Sequence, residues 1–277
     1  MKPGAVRLNV ADRKRARAFY EKTIGLREVG EDDGTLQLGA DGGVVVELVE
    51  TSDAPRRPPR TTGLFHLAIL VPSRLELARA LRRILKSGWS LTGASDHLVS
   101  EALYLSDPEG NGIEIYRDRR REDWPHAEGQ LQMSTLPLDL DGIAGELADV
   151  DAEAGPMAAE TRIGHVHLNV ADLGRAEAFY CGLLGFDVTV RGYPGALFVS
   201  TGGYHHDLGL NTWAGEGAPP PPAGALGLNR FELVVEEPLE LDRLERRLSE
   251  AGIGARRENG TVRTTDPFEN AVVLKAH

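Results

Sequence analysis

The sequence predicts an α+β protein built from four βαβββ modules, and two internal repeats support this prediction. Residues 5–25 (AVRLNVADRKRARAFYEKTIG) and 165–185 (HVHLNVADLGRAEAFYCGLLG) are identical at twelve of twenty-one positions. Residues 63–88 and 227–252 form a second, weaker pair, in which an apolar run precedes an amphipathic stretch ending in Gly. Such repeats indicate one structural unit used several times. The modules are expected at roughly 5–50, 63–118, 163–214 and 227–276.

The order of elements within a module follows from local patterns. Alternating apolar residues predict the opening strand, and Asp12 and Asp172 are placed to cap the helices that follow. Ser73 with Glu76 predicts a capping box in module two. Gly25 and Gly185 are expected to end the helices of modules one and three. Short β-rich runs come next, at 36–38, 44–48, 103–105, 113–116, 197–199 and 272–274.

Composition shifts predict the domain organisation. Residues 1–118 are expected to hold modules one and two, and residues 162–277 modules three and four. The segment between them, 119–161, is rich in Asp, Glu, Ala and Gly and is interpreted as a linker with one short helix. The run Pro219–Pro222 is expected to join modules three and four as a stiff spacer.

Charge and cysteine content narrow the functional classes. The formal net charge is −11, which argues against nucleic acid or an anionic membrane surface as a partner. The single cysteine, Cys181, allows no disulfide within the chain, and no signal-like or membrane-spanning run is present. A cytoplasmic location is therefore expected, and homo-oligomer formation stays open.

Three residues are candidates for a metal site, although each has an ordinary explanation when taken alone. His66 lies in an apolar strand and could be a buried structural histidine, and His165 could be a surface histidine at a strand start. Glu114 lies between two isoleucines, where a carboxylate is costly to bury unless it is paired or bound to metal. The sister modules carry no such ligands at the equivalent positions, which are Ala5, Arg230 and Val273. Packing of the repeat therefore does not require them.

Paired βαβββ modules with openings such as HVHLNVADLGRAEAFYCGLLGF resemble the vicinal oxygen chelate superfamily, which includes glyoxalase I, bleomycin-resistance proteins and extradiol dioxygenases. The resemblance implies two cup-shaped curved sheets with ligands on the first and fourth strands of modules. It places His66, Glu114 and His165 at ligand positions. Two imidazoles and one carboxylate suit Fe(II), with Mn(II), Ni(II) or Zn(II) as alternatives.

The order of these ligands along the chain requires a particular pairing of the modules. The similar extradiol enzymes draw their ligands from two consecutive modules in the opposite order. Here the three ligands can meet only if module two pairs with module three. If modules pair as one with two and three with four, Glu47 would instead join His66 and Glu114.

Two further segments resemble the extradiol branch. Residues 96–116 are similar to a run in which an active-site tyrosine precedes the ligand glutamate by ten positions, which identifies Tyr104. Residues 197–210 are similar to a double-histidine segment, which implies His206 as acid–base catalyst with His205 beside it. His97 and His167 are interpreted as contacts to the substrate or to the ligands.

The resemblance therefore implies an Fe(II)-dependent dioxygenase that cleaves catechol or a substituted catechol beside its hydroxyl groups. The partners expected are a small aromatic diol and O₂. Two alternatives remain open: a glyoxalase-like metal-dependent lyase or isomerase, and a non-catalytic binding protein similar to the bleomycin-resistance proteins.

Overall fold

The computed structural model describes residues 1–41, 43–148 and 155–277. The strands are β1 (Lys2–Val10), β2 (Arg27–Asp32), β3 (Thr35–Ala40), β4 (Gly43–Glu50), β5 (Gly63–Leu70), β6 (Gly93–Asp96), β7 (Ser100–Ser106), β8 (Gly112–Asp118), β9 (His126–Ala127), β10 (Gln130–Leu131), β11 (Leu136–Pro137), β12 (Arg162–Asn169), β13 (Asp187–Val190), β14 (Ala196–Ser200), β15 (Leu208–Asn211), β16 (Gly227–Val235), β17 (Ala255–Glu258), β18 (Thr261–Thr265) and β19 (Ala271–Ala276). The α-helices are α1 (Arg13–Phe19), α2 (Arg74–Lys86), α3 (Leu140–Gly145), α4 (Leu173–Glu177) and α5 (Pro238–Glu250). This order confirms an α+β fold of four βαβββ modules.

Local sequence signals explain where the helices begin. The side chains of Asp12, Asp172 and Ser73 accept hydrogen bonds from backbone amides in the first turns of α1, α4 and α2, as predicted. The helices of modules one and three then widen into π-helical turns, Tyr20–Ile24 and Ala178–Leu183, which the sequence patterns did not predict.

The π-helical turn of module one ends at a glycine. Gly25 adopts a φ of +97°, a backbone conformation that side chains disfavour. The amides of Gly25 and Leu26 both donate to the carbonyl of Tyr20, which ends the helix.

The chain folds into two compact units. The first unit contains Met1–Asn9, Asp53–Phe65 and Gly164–His277, and the second contains Val10–Ser52 and His66–Ile163. The division into domains of residues 1–118 and 162–277, which we expect from the composition, remains a prediction.

In the first unit, two runs of hydrogen-bonded strands are present. One run has the order β17, β18, β19, β16, β1, and the other has the order β13, β14, β15, β12. The β12–β15 and β16–β19 pairs are parallel, and the other pairs are antiparallel. Helix α5 buries Leu241, Leu244 and Leu248.

In the second unit, β2, β3 and β4 pair in sequence, and a second run has the order β11, β6, β7, β8, β5. Strand β11 belongs to the predicted linker, so part of that segment extends the sheet of module two. Helix α3 is the short linker helix that was predicted, while residues 149–154 of the linker lie outside the described residues.

A buried polar network occurs twice, at two turns that each contain an Asp-Pro pair. The hydroxyl of Tyr20 donates to Asp107 at 3.0 Å, and the hydroxyl of Tyr180 donates to Asp266 at 2.8 Å. Each carboxylate also accepts from an asparagine side chain four residues later. Burial raises the pKa of both carboxyls and of both phenols, because it disfavours the charged forms. None of the helices in the described part of the chain is long and apolar enough to cross a membrane.

Candidate active site

The second unit places His66 and Glu114 side by side. Strands β5 and β8 are parallel, with Ala68 opposite Glu114, so His66 lies on the same face two residues earlier. The Nε2 atom of His66 is 3.0 Å from a carboxylate oxygen of Glu114, and the residues are only 6% and 3% exposed. A carboxylate buried this deeply needs a cation or strong hydrogen-bond donors. The imidazole of His66 and the carboxylate of Glu114 are both ligand types that divalent metal ions accept.

Tyr104 lies directly opposite Glu114 on the antiparallel strand β7. The small side chains of Ala68 and Ala102 leave room for its ring on this face. The hydroxyl of Tyr104 is 2.6 Å from Nε2 of His97, and Nδ1 of His97 is 2.7 Å from the backbone carbonyl of Ser134. A carbonyl only accepts, so in the neutral imidazole Nδ1 carries the hydrogen and Nε2 accepts the hydrogen of Tyr104.

The turn that carries His97 is held in an unusual conformation. Leu98 has a φ of +70°, in the left-handed region that bulky side chains avoid. Its amide donates to the carboxylate of Asp96, and the amide of His97 donates to the carbonyl of Ser100. Backbone strain of this kind persists only where the surroundings fix it, and these two hydrogen bonds hold the turn that carries His97.

In the first unit, His165 and His167 occupy alternate positions of β12 and therefore share a face. His165 is 1% exposed, and its ring centroid lies 4.1 Å from that of His206. His167 lies over Gly209 of β15, where a Cβ atom would come within 2.8 Å of the imidazole. The glycine therefore makes the space that the His167 ring fills.

The double histidine is buried, although such a pair in a loop is often exposed. His205 and His206 are 0% and 5% exposed, and their Nδ1 atoms are 2.8 Å apart. One of these atoms must therefore donate and the other accept. The loop is anchored by Thr189, whose hydroxyl donates to the carbonyl of His205, and it turns at Gly202 and Gly203, which both have positive φ.

The residue that follows, Asp207, is also buried. Burial raises the pKa of its carboxyl to about 6, and the backbone amide of Thr201 partly offsets this effect by donating to it at 2.7 Å.

The structure also shows contacts that sequence reasoning missed. The predicted linker supplies the Ser134 carbonyl to His97, and the first unit contains several aromatic contacts around His167 and Phe198. No short motif signals either feature, since the partners are far apart in sequence.

The fallback ligand Glu47 is buried and accepts a hydrogen bond from Gln37. Among the described residues it belongs to no group of three ligand-type side chains. The structure therefore gives no support to the fallback set.

Comparisons with known proteins agree with this fold. Residues 2–115 and 162–274 match the model of the Glyoxalase/Bleomycin resistance protein/Dioxygenase superfamily. A protein of Bacillus subtilis (strain 168) named catechol-2,3-dioxygenase is 43% identical over 275 residues, which cover 98% of this chain and 95% of that protein.

Solved structures show the fold at much lower identity. One from Bacillus subtilis has a TM-score of 0.69 at 14% identity and covers 100% of this chain and 85% of its own. Glyoxalase I from Zea mays has a TM-score of 0.59 at 17% identity, over 99% and 91% of the two chains. The matched family model and the near full-length relative lead to one conclusion. The chain belongs to the Glyoxalase/Bleomycin resistance protein/Dioxygenase superfamily and, within it, to the extradiol dioxygenases.

Proposed function

We propose that this enzyme is an Fe(II)-dependent dioxygenase that cleaves catechol or a substituted catechol with O₂ beside the two hydroxyls. The product would be of the 2-hydroxymuconic semialdehyde type. The observation that carries the proposal is the 43% identity, over nearly the whole chain, to a relative named catechol-2,3-dioxygenase. The buried His/Glu donor set agrees with it. A cytoplasmic location is part of the same proposal and is supported by the single cysteine.

His66, Glu114 and His165 are the proposed ligands of the iron. In support, all three side chains are buried, and Nε2 of His66 lies 3.0 Å from a carboxylate oxygen of Glu114. Two imidazoles and one carboxylate would hold the ion and leave positions for other molecules, a set typical of non-haem Fe(II) oxygenases. When bound, the iron would supply Lewis acidity toward the diol and electron transfer to O₂.

Tyr104 and His97 would accept a proton from a hydroxyl of the diol. The hydrogen of Tyr104 is directed to Nε2 of His97, because Nδ1 of His97 donates to Ser134. The phenol oxygen of Tyr104 therefore offers lone pairs rather than a hydrogen to a substrate hydroxyl. This arrangement suits acceptance of a proton from the substrate, with His97 taking the proton of Tyr104 in turn.

His206 would act as the acid–base group, and its partner His205 sets its protonation state. If His205 donates through Nδ1, then Nε2 of His206 carries a hydrogen and is an acid. If His206 donates instead, its Nε2 is a base. When Nε2 of His206 donates its proton, the Nδ1 hydrogen of His205 can pass to Nδ1 of His206 while Nε2 of His205 takes up a proton, and the acid form becomes the base form. The reverse sequence restores the acid form, so His206 can accept a proton in one step and donate one in another.

The test is anaerobic loading of the purified chain with Fe(II), followed by addition of catechol and O₂. The proposal expects one O₂ consumed for each ring-cleaved product. His206→Asn should keep the bound iron and lose kcat by roughly 10²–10⁴-fold, the usual range for loss of an acid–base group. Activity on a thiol adduct with Ni(II) or Zn(II), and none on catechol, would favour a glyoxalase-like enzyme. Ligand binding without metal or turnover would favour a binding protein.

A further inference from the structure

Five rings of the first unit form a continuous series of contacts, which we call the aromatic row. Its members are Phe65, His167, Tyr193, Phe198 and Trp213. Phe65 contacts His167 and Trp213, each at 5.1 Å between ring centroids, and His167 contacts Trp213 at 5.3 Å and Phe198 at 5.7 Å. Tyr193 lies 5.7 Å from Phe198. These separations are typical of favourable edge and offset contacts between rings.

The aromatic row runs from the surface to the proposed acid–base residue. Trp213 and Phe65 are 46% and 40% exposed, whereas His167 and Phe198 are 4% and 5% exposed. At the inner end, the ring of Phe198 lies 4.8 Å from His206. The row therefore connects a half-exposed aromatic rim with the catalytic histidine.

Strand register produces the inner part of the row. Gly209 of β15 is the register partner of both His167 on β12 and Phe198 on β14. Because Gly209 has no side chain, the two flanking rings approach each other across it, and an alanine there would collide with His167.

The outer part of the row is held in place although it is exposed. The indole nitrogen of Trp213 donates to the carbonyl of Pro194 at 3.0 Å, and its backbone amide donates to the side chain of Asn211. Gly195, with a φ of +66°, lets the indole lie against the backbone, since a Cβ atom would be 3.1 Å from the indole nitrogen. Fixing a large exposed ring in this way costs conformational entropy, which a surface without a ligand does not require.

Four of the five rings of the row belong to Phe, Tyr and Trp side chains, which carry no charge at neutral pH, and the fifth is the imidazole of His167. Arg191, the cation nearest in sequence to Tyr193, forms an ion pair with Glu177. We propose that the aromatic row binds the ring substituent of the substrate and selects catechols with an alkyl or aryl group over catechols with a carboxylate. This inference rests on the proposed function, because it assigns the substrate class of the same site.

Kinetic discrimination tests the inference. Wild-type enzyme should cleave 4-ethylcatechol with a kcat/KM at least about tenfold above that for 3,4-dihydroxybenzoate, since an apolar wall leaves a carboxylate unpaired. Trp213→Ala should lower kcat/KM for 4-ethylcatechol about tenfold, because the variant loses a contact with roughly two carbon groups of the ethyl substituent. The same variant should lower kcat/KM for catechol, which has no substituent, less than about threefold. Trp213→Phe should restore most of the loss. Leu239→Ala, which removes another exposed apolar side chain of the unit, should leave both values unchanged.

An equal loss on both substrates, or equal activity on 3,4-dihydroxybenzoate, would overturn the inference. A binding measurement distinguishes failure of this inference from failure of the proposed dioxygenase function. Under anaerobic conditions, 4-ethylcatechol should quench the part of the tryptophan fluorescence that Trp213→Phe removes. Quenching of that part without ring cleavage would refute the dioxygenase and keep the row as a binding site, whereas no quenching would refute the row.

Discussion

Replacement of Asp207 by Asn should stabilise the protein at neutral pH. Burial raises the pKa of this carboxyl from 3.8 to about 6, and the N-terminal ammonium and Lys2 offset only part of that effect. Well below pH 3.8 the group is protonated in both states. As the pH rises toward 6, the unfolded chain loses the proton more readily than the folded one, so the free energy of unfolding falls. A difference of about two pH units corresponds to about 3 kcal/mol, which remains constant above pH 6.

Urea denaturation between pH 4 and pH 8 measures this effect. Asp207→Asn keeps an oxygen that accepts from the amide of Thr201, so it removes the charge and little else. Its gain in the free energy of unfolding should be about 0.5 kcal/mol at pH 4 and reach about 3 kcal/mol at pH 7. Asp187→Asn removes an exposed carboxyl of the same unit and serves as the control. A gain that does not depend on pH, or a loss at pH 7, would refute the reasoning.

Two further predictions concern buried polar contacts. Tyr20→Phe and Tyr180→Phe each remove one donor to a buried carboxylate, so each should lower the free energy of unfolding by about 1–3 kcal/mol in urea denaturation. Losses that differ widely would contradict the equivalence of the two networks. Glu101 is 3% exposed and contacts Arg74, Arg117 and Arg119, so Glu101→Gln should cost about 3–5 kcal/mol in the same assay. The exposed Glu122→Gln should change little, and comparable losses in these two variants would contradict the role of burial.

Much of the fold could be predicted because its signals are short-range. A cap such as Asp12 needs only the residues of the next turn, and Gly25 needs only its own backbone conformation. Because of the internal repeat, an element predicted in one module could also be predicted at the equivalent position of a second module. The π-helical turns could not be predicted in this way, because their extra residue depends on what packs around them.

The candidate site also has some features that could be predicted from local sequence and others that depend on long-range contacts. His66, Glu114 and His165 could be selected from the residue types and from their replacement in the sister modules, and their role as ligands stays a prediction. The direction of the Tyr104 hydroxyl hydrogen could not be predicted. It depends on His97, whose Nδ1 contacts the carbonyl of Ser134, thirty-seven residues further along the chain. The aromatic row depends on the register of β12, β14 and β15, which no local pattern encodes.

The iron content of four variants tests the proposed ligand set most directly. Wild type, His66→Ala, Glu114→Ala, His165→Ala and Glu47→Ala would be loaded anaerobically with Fe(II), desalted and analysed for metal, with circular dichroism to verify folding. We predict one iron per chain for wild type and for Glu47→Ala, and almost none for the other three variants. Full iron in folded His165→Ala, together with loss of iron in Glu47→Ala, would contradict the ligand set.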